Sequence, residues 1–295
     1  MKRLWVLWLA VVVTVHGEAR GQKSVEPKEA DHKSIAYGKD KRQFLHLWIP
    51  DSAQPTPLVV HYHGGGFVAG NVRDKTKGRL PARFNAAGIA YAEVEYRLLP
   101  QTLLSVILRD CARSIQFLRY HANKYNLDKR RVAAFGESAG AGASLWLGTK
   151  DDLANPQSTD PVLRESSRVI AAGGFKVQST YDIMQWPKLL GLPPEKTPYW
   201  QMLQSFRRQM TAEKFLELRK DIDMAAHLDK ADPPLHFSPG SKGQGVHSHR
   251  FVEALRQRAK RTGANLVIAE GRERLIHFLT ARLKAAPTTA ACPAD

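Results

Sequence analysis

The stretch VAAFGESAGAGAS, residues 132–144, constrains the fold of this chain more than any other. Val132 to Phe135 reads as a buried strand, and the small residues from Ala139 onward read as a helix. Between them lies Gly136-Glu137-Ser138-Ala139-Gly140. A Gly-x-Ser-x-Gly turn between a strand and a helix lifts the serine onto a sharp bend above a parallel sheet, with its Oγ exposed. Ser138 is therefore the candidate nucleophile, and a strand-to-helix turn of this kind demands an α/β architecture.

The rest of the chain agrees. Residues 43–50, 57–63, 88–98, 168–175, 233–238 and 265–269 have the apolar or alternating patterns of strands. Residues 102–125, 139–147, 250–261 and 275–283 carry apolar side chains at helical spacing. Strands alternating with helices give a doubly wound, mostly parallel sheet. Between residues 183 and 230, Trp186, Trp200, Leu203, Phe206, Met210, Phe215 and Leu218 suit short amphipathic helices. They are expected to form a short helical cap over the sheet rather than a second domain.

The start of the chain reads differently. Met1-Lys2-Arg3 is basic, Leu4 to Val15 is almost wholly apolar, and Ala19-Arg20-Gly21 offers small residues for cleavage. This is the form of a signal peptide over residues 1–21, too short to span a bilayer comfortably. It implies a secreted or periplasmic protein with no membrane span left after cleavage. Residues 22–33 are polar and are expected to be a loose tether, 34–284 the folded domain, and the Ala/Pro-rich end, 285–295, a disordered tail.

The formal net charge is +16. Residues 1–21 hold Lys2, Arg3, Arg20 and Glu18, so their removal leaves +14. A basic exported protein suits an acidic surface or polysaccharide. No interleaved basic and aromatic motif points to nucleic acid. Neither Cys111 nor Cys292 belongs to a cluster with zinc spacing, and no cofactor motif is present. Cys111 is expected to be a buried thiol. The oligomeric state is left open.

A second motif strengthens the first. HYHGGGFVAGN, residues 61–71, follows a strand directly. Consecutive glycines let the backbone turn its N–H groups toward a ligand, and a developing oxyanion needs such fixed donors at about 3 Å. Together, HGGGFVAG, VEYRLLP and DCARSIQFLRYHANKYNLDKRRVAAFGESAGA resemble the α/β-hydrolase esterases of the hormone-sensitive-lipase and bacterial feruloyl and acetyl-xylan esterase type. The resemblance is close over residues 35–150 and loose beyond them. It implies Ser138 on the nucleophile elbow and an oxyanion hole from the backbone N–H groups of Gly65, Gly66 and Ala139. It also makes Tyr96 and Asp110 structural and Glu137 a buried hydrogen-bonding acid beneath the serine.

The second half departs from that pattern. The loop that should carry the acid, PGSKGQGVHSH at 239–249, contains no Asp or Glu. Asp229 and Asp232 precede the strand and fall at its wrong end. Asp182, after the strand near 168–175, is the better candidate acid, though a helix-capping role fits it equally. For the base, His277 follows the last strand, where the fold normally delivers it. His247 and His249 come from the loop that lacks an acid, and the residues leave the choice open with His277 ahead. The expected function is an exported serine esterase acting on a small-molecule or polysaccharide ester through an acyl-enzyme. The alternative is a catalytically decayed α/β-hydrolase that binds a carbohydrate or a partner.

Overall fold

The computed structural model describes residues 25–285. The expected signal peptide, Cys292 and the end beyond Ala285 lie outside the described residues. The eight strands of the main sheet are β1 (His32–Ala36), β2 (Phe44–Trp48), β3 (Thr56–Tyr62), β4 (Ala90–Val94), β5 (Leu127–Glu137), β6 (Ala171–Phe175), β7 (Leu235–Phe237) and β8 (Leu266–Ile268). Their spatial order is β8-β7-β6-β5-β3-β4-β2-β1. Only β1 and β2 run antiparallel to their neighbours. From β4 to β8 every pairing is parallel.

The sheet is wrapped on both faces, as a parallel sheet must be. On one face lie α1 (Arg79–Ala86) and the final helix, α9 (Arg272–Lys284), which bring Phe84, Leu275 and Leu279 against Val59, Tyr91 and Phe135. On the other face lie α2 (Leu104–Tyr120), α3 (Ala139–Thr149) and α8 (His249–Thr262). Four short helices form the cap-like excursion: α4 (Trp186–Leu190), α5 (Trp200–Arg208), α6 (Ala212–Asp221) and α7 (Met224–His227). Trp186 is buried against Phe251 of α8, with ring centroids 5.1 Å apart, so the excursion packs on the domain.

Two elements differ from the sequence reading. The polar stretch expected as a tether is held to the domain from Lys28 onward. Lys28–Glu29 pairs with Lys77–Gly78, and Lys28 Nζ donates to Asn85 Oδ1 and to the Ile49 carbonyl. The charge there is anchoring, and one lysine amine satisfies several acceptors at once. Helix α1 and the edge strand β1 carry no clear sequence signal, because β1 is mostly polar and exposed and α1 is eight residues long with a proline in its first turn.

Chain order reverses across β3 and β5: the path runs from β3 through α1 to β4, then through α2 back past β3 to β5. Ligands of such sheets bind at this switch, above the carboxyl ends of the strands. Here it is built by close approach. A Cβ on Gly140 would collide with the Tyr62 carbonyl oxygen, and one on Gly136 would collide with Gly140 and the same oxygen. Every residue of α3 is buried, and its Ala-Gly-Ala-Gly-Ala start lets the helix sit directly over the sheet. Tyr96 and Asp110 brace the neighbouring loops. The buried Asp110 carboxylate accepts from Gln43 Nε2 at 2.7 Å and from Arg97 Nε at 2.8 Å. Cys111 is a buried free thiol.

Gly140→Ala should therefore force α3 off β3, at a cost of about 1–3 kcal/mol for overpacking. Urea unfolding should show the midpoint falling with little change in slope.

Candidate active site

Ser138 lies between β5 and α3 with φ 53° and ψ −115°. Positive φ is costly for a residue with a Cβ and persists only where surrounding packing enforces it. The glycine contacts of the elbow do this, and the Ser138 N–H is held by the Phe175 carbonyl at 2.8 Å. The result leaves the hydroxyl facing outward at the start of an eleven-residue helix.

The imidazole at this hydroxyl belongs to His247. Its Nε2 lies 2.9 Å from Ser138 Oγ. His277, expected ahead of it, rides on the exposed side of α9. The link from β8 to α9 is only Ala269 to Gly271, too short to carry a side chain back over the sheet. His249 begins α8, and its Nδ1 stands 3.4 Å from the Ser241 carbonyl. The histidine is therefore delivered one strand earlier than expected, from the loop after β7.

That loop is held by residues that the sequence did not flag. Gln178 is buried and donates to the Val246 carbonyl at 2.6 Å and to the Lys176 carbonyl at 3.2 Å. It ties the loop after β6 to the residue preceding His247. Ser241 donates its N–H and its hydroxyl to the His247 carbonyl, at 2.8 and 3.0 Å. No sequence pattern marks Gln178, because its partners are backbone carbonyls brought near by folding.

Asp182 does not join the pair. It is buried and grips the Arg219 guanidinium with both carboxylate oxygens, at 2.9 and 3.0 Å, while capping the turn at Met184. Its charge fastens α6 to the loop after β6. Among the described residues no carboxylate lies within 4.0 Å of the His247 ring nitrogens. Glu137 is also not the buried acid that was expected. Its side chain is 44% exposed and pairs with Lys176 Nζ at 2.6 Å. The lysine pair holds the Glu137 carboxyl below its ordinary value. For His247, partial burial and then the Lys176 charge push the pKa below its usual value, with Glu137 opposing them.

The glycine loop completes the geometry. Gly65 and Gly66 have φ 120° and 62°. A side chain at Gly65 would meet the Ala69 carbonyl, and one at Gly66 the Tyr199 hydroxyl. The backbone N–H groups of Gly65, Gly66 and Ala139 donate to no acceptor among the described residues. Gly66, Ser138 and Ala139 line one cavity. His63 and Glu95 hold the loop from behind. The His63 ring stacks on Tyr96 at 4.1 Å, and Glu95 takes the Val72 N–H at 2.8 Å and pairs with Arg42. Arg42 also donates to the Gly70 carbonyl at 2.7 Å. The cavity of about 50 Å³ is closed by Phe67, Leu99, Leu104, Tyr181, Ile183, Trp186, Tyr199 and Met202, so β-strand loops and the cap both contribute walls. Among the described residues no cluster of His, Cys, Asp and Glu could hold a metal ion.

Comparison with known proteins agrees with this architecture. A probable isoprenylcysteine α-carbonyl methylesterase of Arabidopsis thaliana is 29% identical over 156 residues, 51% of this chain and 32% of that protein. The esterase LipC of Mycobacterium tuberculosis is 24% identical over 229 residues, 76% of this chain and 55% of that one. The chain thus spans from just under a third to just over half the length of these curated relatives. A truncated carbohydrate esterase from gut microbiota superimposes with a TM-score of 0.67 over 89% of this chain and 99% of that one, at 15% identity, and shares the α/β-hydrolase fold. The BD-FAE family model matches residues 45–255, which include the elbow, the glycine loop and His247. With well over half of its sequence in that match, the chain belongs to the BD-FAE family.

Proposed function

We propose that this chain is a serine-dependent carboxylic ester hydrolase working through a Ser138–His247 dyad. The 2.9 Å approach of His247 Nε2 to Ser138 Oγ carries the reading. A serine hydroxyl becomes a useful nucleophile when an adjacent base takes its proton. Ser138 Oγ attacks the ester carbonyl as His247 removes its proton. The unpaired N–H groups of Gly65, Gly66 and Ala139 supply donors for the oxyanion, aided by the positive end of α3. His247 then gives the proton to the departing alcohol, and water frees the acid by the reverse sequence. The small apolar cavity supports a short acyl group, since pockets for larger ligands run to several hundred Å³. The basic charge and the carbohydrate esterase among the structural neighbours support an acylated polysaccharide as the natural ester.

The lack of a carboxylate at His247 among the described residues has a consequence. In a full triad the acid fixes the histidine tautomer and steadies the imidazolium, and its loss lowers turnover about 10⁴-fold. This dyad is therefore expected to be slow and to favour esters with good leaving groups. The same observation favours the second reading, a binding protein with decayed chemistry. A fluorophosphonate probe separates the two. Labelling at Ser138, with p-nitrophenyl acetate cleaved faster than the octanoate, supports the esterase. Folded protein that stays unlabelled leaves the binding reading. Ser138→Ala should abolish turnover, and His247→Ala should lower it by about 10²–10⁴. His277→Ala should leave turnover per folded molecule intact. So should Asp182→Asn, which should lose about 1–2 kcal/mol of stability, because its Arg219 partner is partly exposed.

The base acts when neutral, so the acid limb of kcat/KM follows the His247 pKa, below the ordinary value of about 6.5. Removing the nearby cation in Lys176→Met eases protonation and should move that limb to higher pH. Glu137→Gln removes the opposing anion and should move it lower. Limbs that stay in place in both variants would sever His247 from this ion pair.

Export is the remaining part of the proposal, supported by the basic and apolar start of the chain. Mass spectrometry of the protein from its native host should find a mature N-terminus at Gln22. An intact Met1 on the main species removes the reading.

A further inference from the structure

Behind the elbow, on the opposite face of the sheet from the Ser138 cavity, lies a second cavity of about 300 Å³. Its walls are the first turns of α1 (Arg79, Leu80, Pro81) and α9 (Arg272, Leu275, Ile276). Its floor is the ends of β3 to β6. The two helical walls are clamped together. Arg83 of α1 donates to both carboxylate oxygens of Glu273 of α9, at 2.8 and 2.5 Å, across the exposed edge between the helices.

The lining has two characters. Trp48, Tyr91, Phe135 and Phe175 supply an aromatic floor. Lys75, Lys77, Arg79 and Arg272 supply a cationic rim. Two carboxylates also face the space, and both are engaged. Glu93 accepts from Tyr91 at 2.7 Å, lies 2.9 Å from His61 Nδ1, and has Lys75 Nζ at 3.8 Å. Glu137 pairs with Lys176. Lys77, Arg79 and Arg272 make no ion pair among the described residues. Arg272 instead lies over the Phe175 ring, 5.8 Å from its centroid. The helix starts at Gly78 and Gly271 have no side-chain cap, so their first N–H groups add to the positive field. His61 Nε2 has no partner among the described residues.

We propose that this cavity binds a small aromatic monocarboxylate. The ring would rest on the aromatic floor, and the carboxylate would meet Arg272 and the lysines at the rim. Arginine suits this pairing because its planar fork matches both carboxylate oxygens. The volume is at the lower end of those that enclose small organic ligands. The Ser138 cavity, at about 50 Å³, is the smaller of the two and lies on the other face of the sheet. The proposal stands independently of whether Ser138 is catalytic.

Titration calorimetry of benzoate into the Ser138→Ala protein tests it, with neutral benzamide as the control. The expected result is one benzoate per chain and no measurable heat with benzamide. Lys75→Gln/Arg272→Gln should weaken benzoate binding about tenfold or more, the scale of lost charge-assisted hydrogen bonds. Both residues are exposed at the rim, so thermal melting should show the variant folded as the parent is. Three results would overturn the proposal: no benzoate binding at millimolar concentration, equal binding of benzamide, or benzoate binding undiminished in the folded double variant.

Discussion

The close approach of α3 to the end of β3 is the constraint on which the rest depends. The Tyr62 carbonyl occupies the space that side chains at Gly136 and Gly140 would need. Because those side chains are absent, the chain turns sharply enough to leave Ser138 at positive φ, with its hydroxyl outward. The same approach sets Gly64 against the Glu137 carbonyl, so the glycine loop and the elbow are one packed unit. The candidate oxyanion donors and the candidate nucleophile are thus positioned by backbone sterics before any side-chain hydrogen bond forms. Preorganisation of this kind costs nothing when charge develops.

The candidate base is held differently. His247 comes from a loop rich in glycine and serine, and its position depends on Gln178, Ser241 and the fold of the cap edge. Among the described residues no buried carboxylate steadies its ring. The polar residues nearest to it electrostatically are Lys176 and Glu137, which are paired and partly exposed. They modulate the imidazole without fixing its tautomer. The acid that could have served, Asp182, is held by Arg219, and that pair joins the cap to the sheet. A carboxylate committed to a guanidinium on both oxygens is a structural tie, and removing it would leave the partly exposed Arg219 without this partner.

The two faces of the sheet carry different cavities in the same region. On the α3 side the cavity is small, apolar and open to Ser138. On the α1 and α9 side it is larger, with a cationic rim and an aromatic floor. Both end at the same turn, since Gly136 and Glu137 line the larger cavity and Ser138 lines the smaller one. The link before α9, Ala269 to Gly271, is too short to place a histidine over the elbow.

The sequence by itself determined the α/β architecture, the elbow and the glycine loop. Each is a local pattern: strand, glycine-bounded turn and helix are contiguous, and glycine is demanded by backbone approach within a few residues. It also marked Ser138 uniquely among the serines, because no other serine stands in such a turn. Only the tertiary structure decided which histidine reaches that serine and what Asp182 holds. His247 is 109 residues from Ser138, and Arg219 is 37 from Asp182. Two spacings set the outcome, the link after β8 that is too short and the loop after β7 that is long enough. Reach of that kind is a property of the folded backbone, and residue type alone carries no record of it.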